Sequence, residues 1–186
     1  MMKEFYPEWE AHFFVNINTP KCYAAELASI QNVKVISITS QMGWKQSLCR
    51  FWPFLNGAVD VFISRDCDSR FSRREVDAVN EWLESNKLCH TMKDHPYHYS
   101  YPLLAGMTGF KNPPRFNAAK AFNEYDNHDY YHHDQDFLAQ VVFPYYRDSI
   151  MFHDQNSFPS PREEGRFVGQ VFDSNDNTPQ EHLAVL

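Results

Sequence analysis

The stretch Val59-Asp60-Val61-Phe62-Ile63-Ser64-Arg65-Asp66-Cys67-Asp68 constrains the fold more than any other part of this chain. It is a short apolar run, rich in branched and aromatic side chains, that ends abruptly in two carboxylates one residue apart. Such a run reads as a buried strand. Residues two apart in an extended chain point the same way, so Asp66 and Asp68 can offer their oxygens to one cation. In open α/β sheets ligands collect at the carboxyl ends of strands, which is where these acids fall. A hard divalent ion, Mn2+ or Mg2+, held by one or two carboxylates with its other positions open, can grip a nucleotide's diphosphate. The competing reading is a pair of solvated acids ahead of the next helix.

The flanking pattern gives that strand its company. An apolar strand is expected at 11–17, then a helix to about 29 with Thr19 as N-cap and Pro20 at its first position. A β-branched strand follows at 33–39, and a helical pattern at 44–55 is interrupted by Pro53. After the 59–64 strand, Ser72-Arg73-Arg74-Glu75 fits a capping box, opening a helix to about 85 whose Val76, Val79 and Leu83 share one face. This alternation predicts a parallel α/β sheet.

The second half is less regular. Strands are expected at 88–92, at 149–152 leading into His153-Asp154, and at 167–172. An apolar segment at 103–110 is broken by Gly106 and Gly109, which permit close backbone approach or a tight turn. A helix begins near Asp134, with Phe137, Leu138, Val141 and Val142 at helical spacing and Pro144 as its stop. The tract His128-Asp129-Tyr130-Tyr131-His132-His133 lacks the Cys/His spacing of a tetrahedral zinc site and reads as a polar loop. Residues 174–186 read as a mobile polar tail, leaving 1–173 as a single domain.

Charge and cysteine usage exclude some functions. With 17 Lys+Arg against 24 Asp+Glu the net charge is −7, which argues against general nucleic-acid binding. The four cysteines form no C-x-x-C pair, and no leader-like apolar segment stands at the N-terminus, so reduced thiols and a cytoplasmic location are the expectation. No apolar run reaches the ~18 residues of a membrane span. Aromatic residues make up 16%, and those left over from the core would suit stacking on sugars.

Several motifs, in order, carry a resemblance. They are Cys49-Arg50-Phe51, Ser64-Arg65-Asp66-Cys67-Asp68-Ser69-Arg70 with Arg74-Glu75, Glu81-Trp82-Leu83, Asp94-His95-Pro96-Tyr97-His98 and Gly106-Met107-Thr108-Gly109. Asp134-Gln135-Asp136-Phe137-Leu138, His153-Asp154 and Phe167-Val168-Gly169 complete the set. Over roughly 44–172 the chain resembles the small GT-A-fold glycosyltransferases of large DNA viruses, phages and bacteria. The resemblance implies a Rossmann-like mixed sheet flanked by helices, a nucleotide-diphosphate sugar donor and a glycan acceptor. It makes Asp66, Asp68 and His153 the metal ligands, for Mn2+ or Mg2+, and Asp134 the catalytic base, with Asp136 as substitute if the register differs. Arg50, Arg65, Arg74, Asp94, His95, His98, Gly106 and Gly109 fall on its donor and substrate side. Against that pattern the chain reads as lacking the usual first β-α unit. The sheet edge so exposed would invite pairing with a second copy.

Two other functions fit some of the same residues. One is a non-catalytic nucleotide-sugar- or glycan-binding relative. The other, a metal-dependent phosphoesterase, is weaker because the sequence offers no second metal cluster.

Overall fold

The computed structural model describes residues 2–38, 43–125, 129–162 and 166–184. Thr39, expected in a strand, His128, expected in a loop, and the last two tail residues lie outside them. The strands are β1 Ala11–Asn16, β2 Val33–Ile38, β3 Val61–Arg65, β4 Cys89–Lys93, β5 Met107–Lys111 and β6 Ile150–Asp154. The helices are α1 Met2–Phe5, α2 Lys21–Ala28, α3 Trp52–Leu55, α4 Arg73–Glu84, α5 Ala118–Glu124, α6 His133–Phe137, α7 Phe143–Tyr146 and α8 Gln180–Leu183.

The strands divide into two sheets. β1 and β2 pair in parallel by themselves, while the others follow the order β3-β5-β4-β6, with β5 antiparallel to both neighbours and β6 parallel to β4. The single parallel sheet expected from the alternation is therefore corrected to a parallel pair and a mixed sheet. β5 reverses because the connection at 94–106 holds only a 3-10 turn, Pro96–Ser100, and no helix to carry the chain back across the sheet.

Both faces of the mixed sheet are covered. Val76, Val79 and Trp82 of α4 pack on one face with Val61 and Ile63. Phe51, Phe54, Phe62, Phe110, Phe137 and Tyr146 fill the other, with Phe54 and Phe110 stacked at 4.4 Å. Alternation along β3 thus sends Val61, Ile63 and Arg65 toward α4 and Phe62 and Ser64 the opposite way. Asp66 continues the second series and emerges beside the 3-10 turn Trp44–Phe51.

Helix ends show where local signals held. Ser72 Oγ accepts from the Glu75 amide at 3.2 Å, as the capping box predicts, but the Glu75 carboxylate turns away to Arg65 and Tyr6. Lys111 Nζ closes the other end of α4 by donating to the Trp82, Leu83 and Ser85 carbonyls. Pro20, not Thr19, occupies the cap position of α2, which has no side-chain cap. Pro144 stops nothing: a π turn, Leu138–Val142, leads from α6 into α7, and proline is tolerated in the first turn of the latter. The strand expected at 167–172 reduces to one bridge, Ser69 with Val171, because Gly169 takes a left-handed φ of 84° and breaks the extended run. Of the expected tail, α8 lies against the body, its His182 carbonyl accepting from His95 Nε2 at 2.9 Å.

Candidate functional site

Three elements converge on one guanidinium. Arg50 Nη1 donates to Asp66 Oδ1 at 2.6 Å, and Arg50 Nε lies 3.6 Å from Asp134 Oδ2. Arg50 comes from the 44–51 turn, anchored by buried Leu48, Cys49 and Phe51; Asp66 comes from the end of β3, and Asp134 from the first turn of α6. Burial opposes the charge on Arg50, yet Asp66 and Asp134 outweigh it and raise the guanidinium's pKa. The cation is locked on between two carboxylates. Gly106 makes room for this junction, since a methyl group there would collide with the Asp66 carboxylate. Gln135 fastens α6 to the same loop, accepting from the Ala105 amide and donating to the Leu103 carbonyl.

Asp68 stands in the turn after β3, where its own carbonyl accepts from the Phe172 amide at 2.8 Å. Desolvation, and then the neighbouring Asp66, raise its pKa. Two crowded acids of this kind form a hard oxygen pair that a divalent cation would relieve. Cys67 between them is exposed at the turn, not directed into the core.

The third expected ligand is not at hand. His153 is buried in β6, with Nδ1 2.8 Å from His90 Nε2 and Nε2 3.3 Å from Glu81. Burial lowers its pKa and Glu81 counters in part. Among the described residues no group of three or more His, Cys, Asp or Glu side chains is gathered as a metal site. His153 thus spends its ring nitrogens on His90 and Glu81 in β6, at the opposite edge of the mixed sheet from β3 and the acids that follow it.

Other expected site residues are occupied elsewhere. Asp136 accepts from Tyr130 Oη at 2.8 Å. Arg65 pairs with buried Glu75 on the α4 face. Asp94 is fully buried, bound by Arg74 at 3.0 Å and Arg162 at 3.2 Å and accepting from the Val168 amide at 3.0 Å. Arg74 also donates to the Asp154 and Phe158 carbonyls, so this pair ties α4 to the ends of β4 and β6. His95 stacks on Phe167 at 4.4 Å, and burial lowers the pKa of nearby His98 to about 4. Gly109 lies opposite Ile63 and His90, where a methyl group would collide with Trp82; its place is in the packing of α4.

Some residues at the junction escaped the sequence reading. Gln135 could have been found from its place between two acids. Tyr101, whose hydroxyl pKa is raised by desolvation and then by Asp136 and Asp134, had no local signal because its nearness depends on the tertiary fold.

No family model matches the chain, and no curated protein matches it in sequence. Its fold is similar to that of a glycosyltransferase involved in the glycosylation of the major capsid of PBCV-1, with a TM-score of 0.50 and 15% identity. The match covers 77% of this chain and 81% of that one. The chain thus has a glycosyltransferase-like fold. Among the described residues no helix is long and apolar enough to cross a membrane.

Proposed function

We propose that this protein moves a sugar from a nucleotide-diphosphate sugar to a hydroxyl of a glycan. The observation that carries this reading is the bridge Asp66–Arg50–Asp134, which joins the acid pair to a carboxylate on a separate element. Bound by Asp66 and Asp68, Mn2+ or Mg2+ would supply Lewis-acid stabilisation of the diphosphate. Arg50, whose guanidinium holds Asp66, offsets charge as the nucleoside diphosphate leaves. Asp134 takes the acceptor hydroxyl's proton as that oxygen bonds to the anomeric carbon and the bond to phosphate breaks, in an inverting transfer.

Titration of UDP-, GDP- and dTDP-sugars with Mn2+, followed by release of nucleoside diphosphate, tests the reading. Asp66→Ala loses metal-dependent donor affinity, and Asp134→Asn keeps it while turnover falls ~10²-fold or more. Wild-type turnover in Asp134→Asn moves the base to Asp136; metal-independent donor affinity in wild type removes the cation. One observation favours a second reading, a non-catalytic donor-binding protein: among the described residues the acid pair gathers no third His, Cys, Asp or Glu ligand. Donor binding without turnover on any acceptor is its signature.

A further inference from the structure

Two exposed rings stand on the segments that carry this site, Trp44 on the turn of Arg50 and Tyr131 just ahead of α6. Trp44 is 54% and Tyr131 62% exposed, and they meet edge to face with centroids 4.9 Å apart. Their arrangement is fixed from below. The amide of Lys45 donates to Asp129 Oδ1 at 3.2 Å, and a methyl group on Gly43 would collide with that carboxylate. The turn that presents Trp44 is thereby clasped to the segment that presents Tyr131.

The pair is also joined to the reacting groups. Trp44 opens the 3-10 turn that carries Arg50. Tyr131 packs on His132 at 4.1 Å, and His132 lies 6.0 Å from Tyr101, whose hydroxyl feels both Asp136 and Asp134. His132, at a left-handed φ of 73°, is the cap from which α6 and its Asp134 begin.

We propose that Trp44 and Tyr131 form the stacking platform for a pyranose ring of the acceptor glycan; this rests on the transferase reading above. The C–H faces of a pyranose are weakly positive and apolar, and aromatic faces attract such edges. Two rings match one or two sugars and fall short of a protein–protein interface, which needs far more area. Asp129, Asp134 and Asp136 nearby, with a net charge of −7, select a neutral glycan over an anionic one. The platform holds the acceptor so that one hydroxyl faces Asp134.

Binding of the full-length protein to an array of neutral oligosaccharides, followed by titration of the best one, tests this. Trp44→Ala and Tyr131→Ala each weaken the glycan roughly ten-fold, the double variant more, and Trp44→Phe recovers most of the loss. Tyr23→Ala, which removes a ring 59% exposed on α2, changes nothing. Equal glycan affinity in wild type and the double variant overturns the platform, as does a wild type that binds no neutral glycan. Nucleotide-sugar titration of the wild type judges the transferase reading separately. Donor binding with glycan affinity insensitive to both rings sinks only the platform; glycan binding that needs both rings in a protein that binds no donor sinks only the transferase.

Discussion

The two sheets are held by opposite means. In β1, α2 and β2 only Ile38 is buried, and every residue of β1 is half-exposed. In β4 and β5 all but the last residue of each strand is sealed, between α4 on one side and a bed of phenylalanines on the other. The acid pair and the glycine that makes room for Asp66 belong to the sealed sheet or its ends. The N-terminal pair reaches that region by few contacts, among them Phe14 against Trp52 at 5.8 Å and Asn16 Nδ2 donating to Gln46 at 2.8 Å. The difference teaches that site geometry is set by buried packing in the mixed sheet, and that the parallel pair is an addition whose stability comes mainly from backbone pairing.

Trp82→Ala is the strongest way to break the comparison. The indole is fully buried, stacks over His90 at 5.5 Å, fills the space above Gly109 and donates to the Lys87 carbonyl at 3.1 Å. Its removal leaves a cavity that the rigid sheet cannot close, and urea unfolding is expected to show a loss of ~3–5 kcal/mol. A cost below ~1.5 kcal/mol would mean that the mixed sheet is no better packed than the N-terminal pair.

The legible parts of the fold were those that local chemistry decides. The apolar run of β3, with Asp66 at its end, and the Ser72 cap follow from period and capping. The reversal of β5 was not legible from periodicity, since direction depends on how the connection packs. Nor was the fate of the polar residues. Asp94, Arg74 and His153 look like ligands in a list of motifs, but each spends its polar atoms on buried partners distant in sequence. Asp66, Arg50 and Asp134 come from three separate elements, so only the fold shows that they meet.

Acid sharpens the comparison next. His90 is sealed in the mixed sheet, and desolvation, with His153 beside it, lowers its pKa to about 3. A histidine whose folded pKa lies below its unfolded value of about 6.5 takes a proton more readily when unfolded. Stability is therefore complete above about pH 6.5 and is lost as pH falls toward 3. Between pH 7 and 5 this amounts to about 2 kcal/mol. Unfolding free energies from urea titrations at the two pH values should separate by more than that in wild type, where His98 adds to it, and by about 2 kcal/mol less in His90→Phe, which keeps a ring under Trp82. An equal separation in both would place the acid sensitivity elsewhere.

The smallest effect belongs to the N-terminal pair. Phe14 is half-buried and touches Trp52 edge to face, so Phe14→Ala forfeits part of one ring's burial and one aromatic contact, with no closed cavity left behind. The expected loss is about 1 kcal/mol in urea unfolding, a fraction of the cost of Trp82→Ala. Hydrogen exchange supplies the regional version of the same test: amides of β1 and β2 should open well before those of β4 and β5, because fewer apolar contacts must break to free them. If Phe14→Ala costs as much as Trp82→Ala, or the two sheets lose their protection together, the parallel pair is part of the same cooperative core, and its half-exposed strands would then hold the Trp44–Phe51 turn, and Arg50 with it, as firmly as the mixed sheet does.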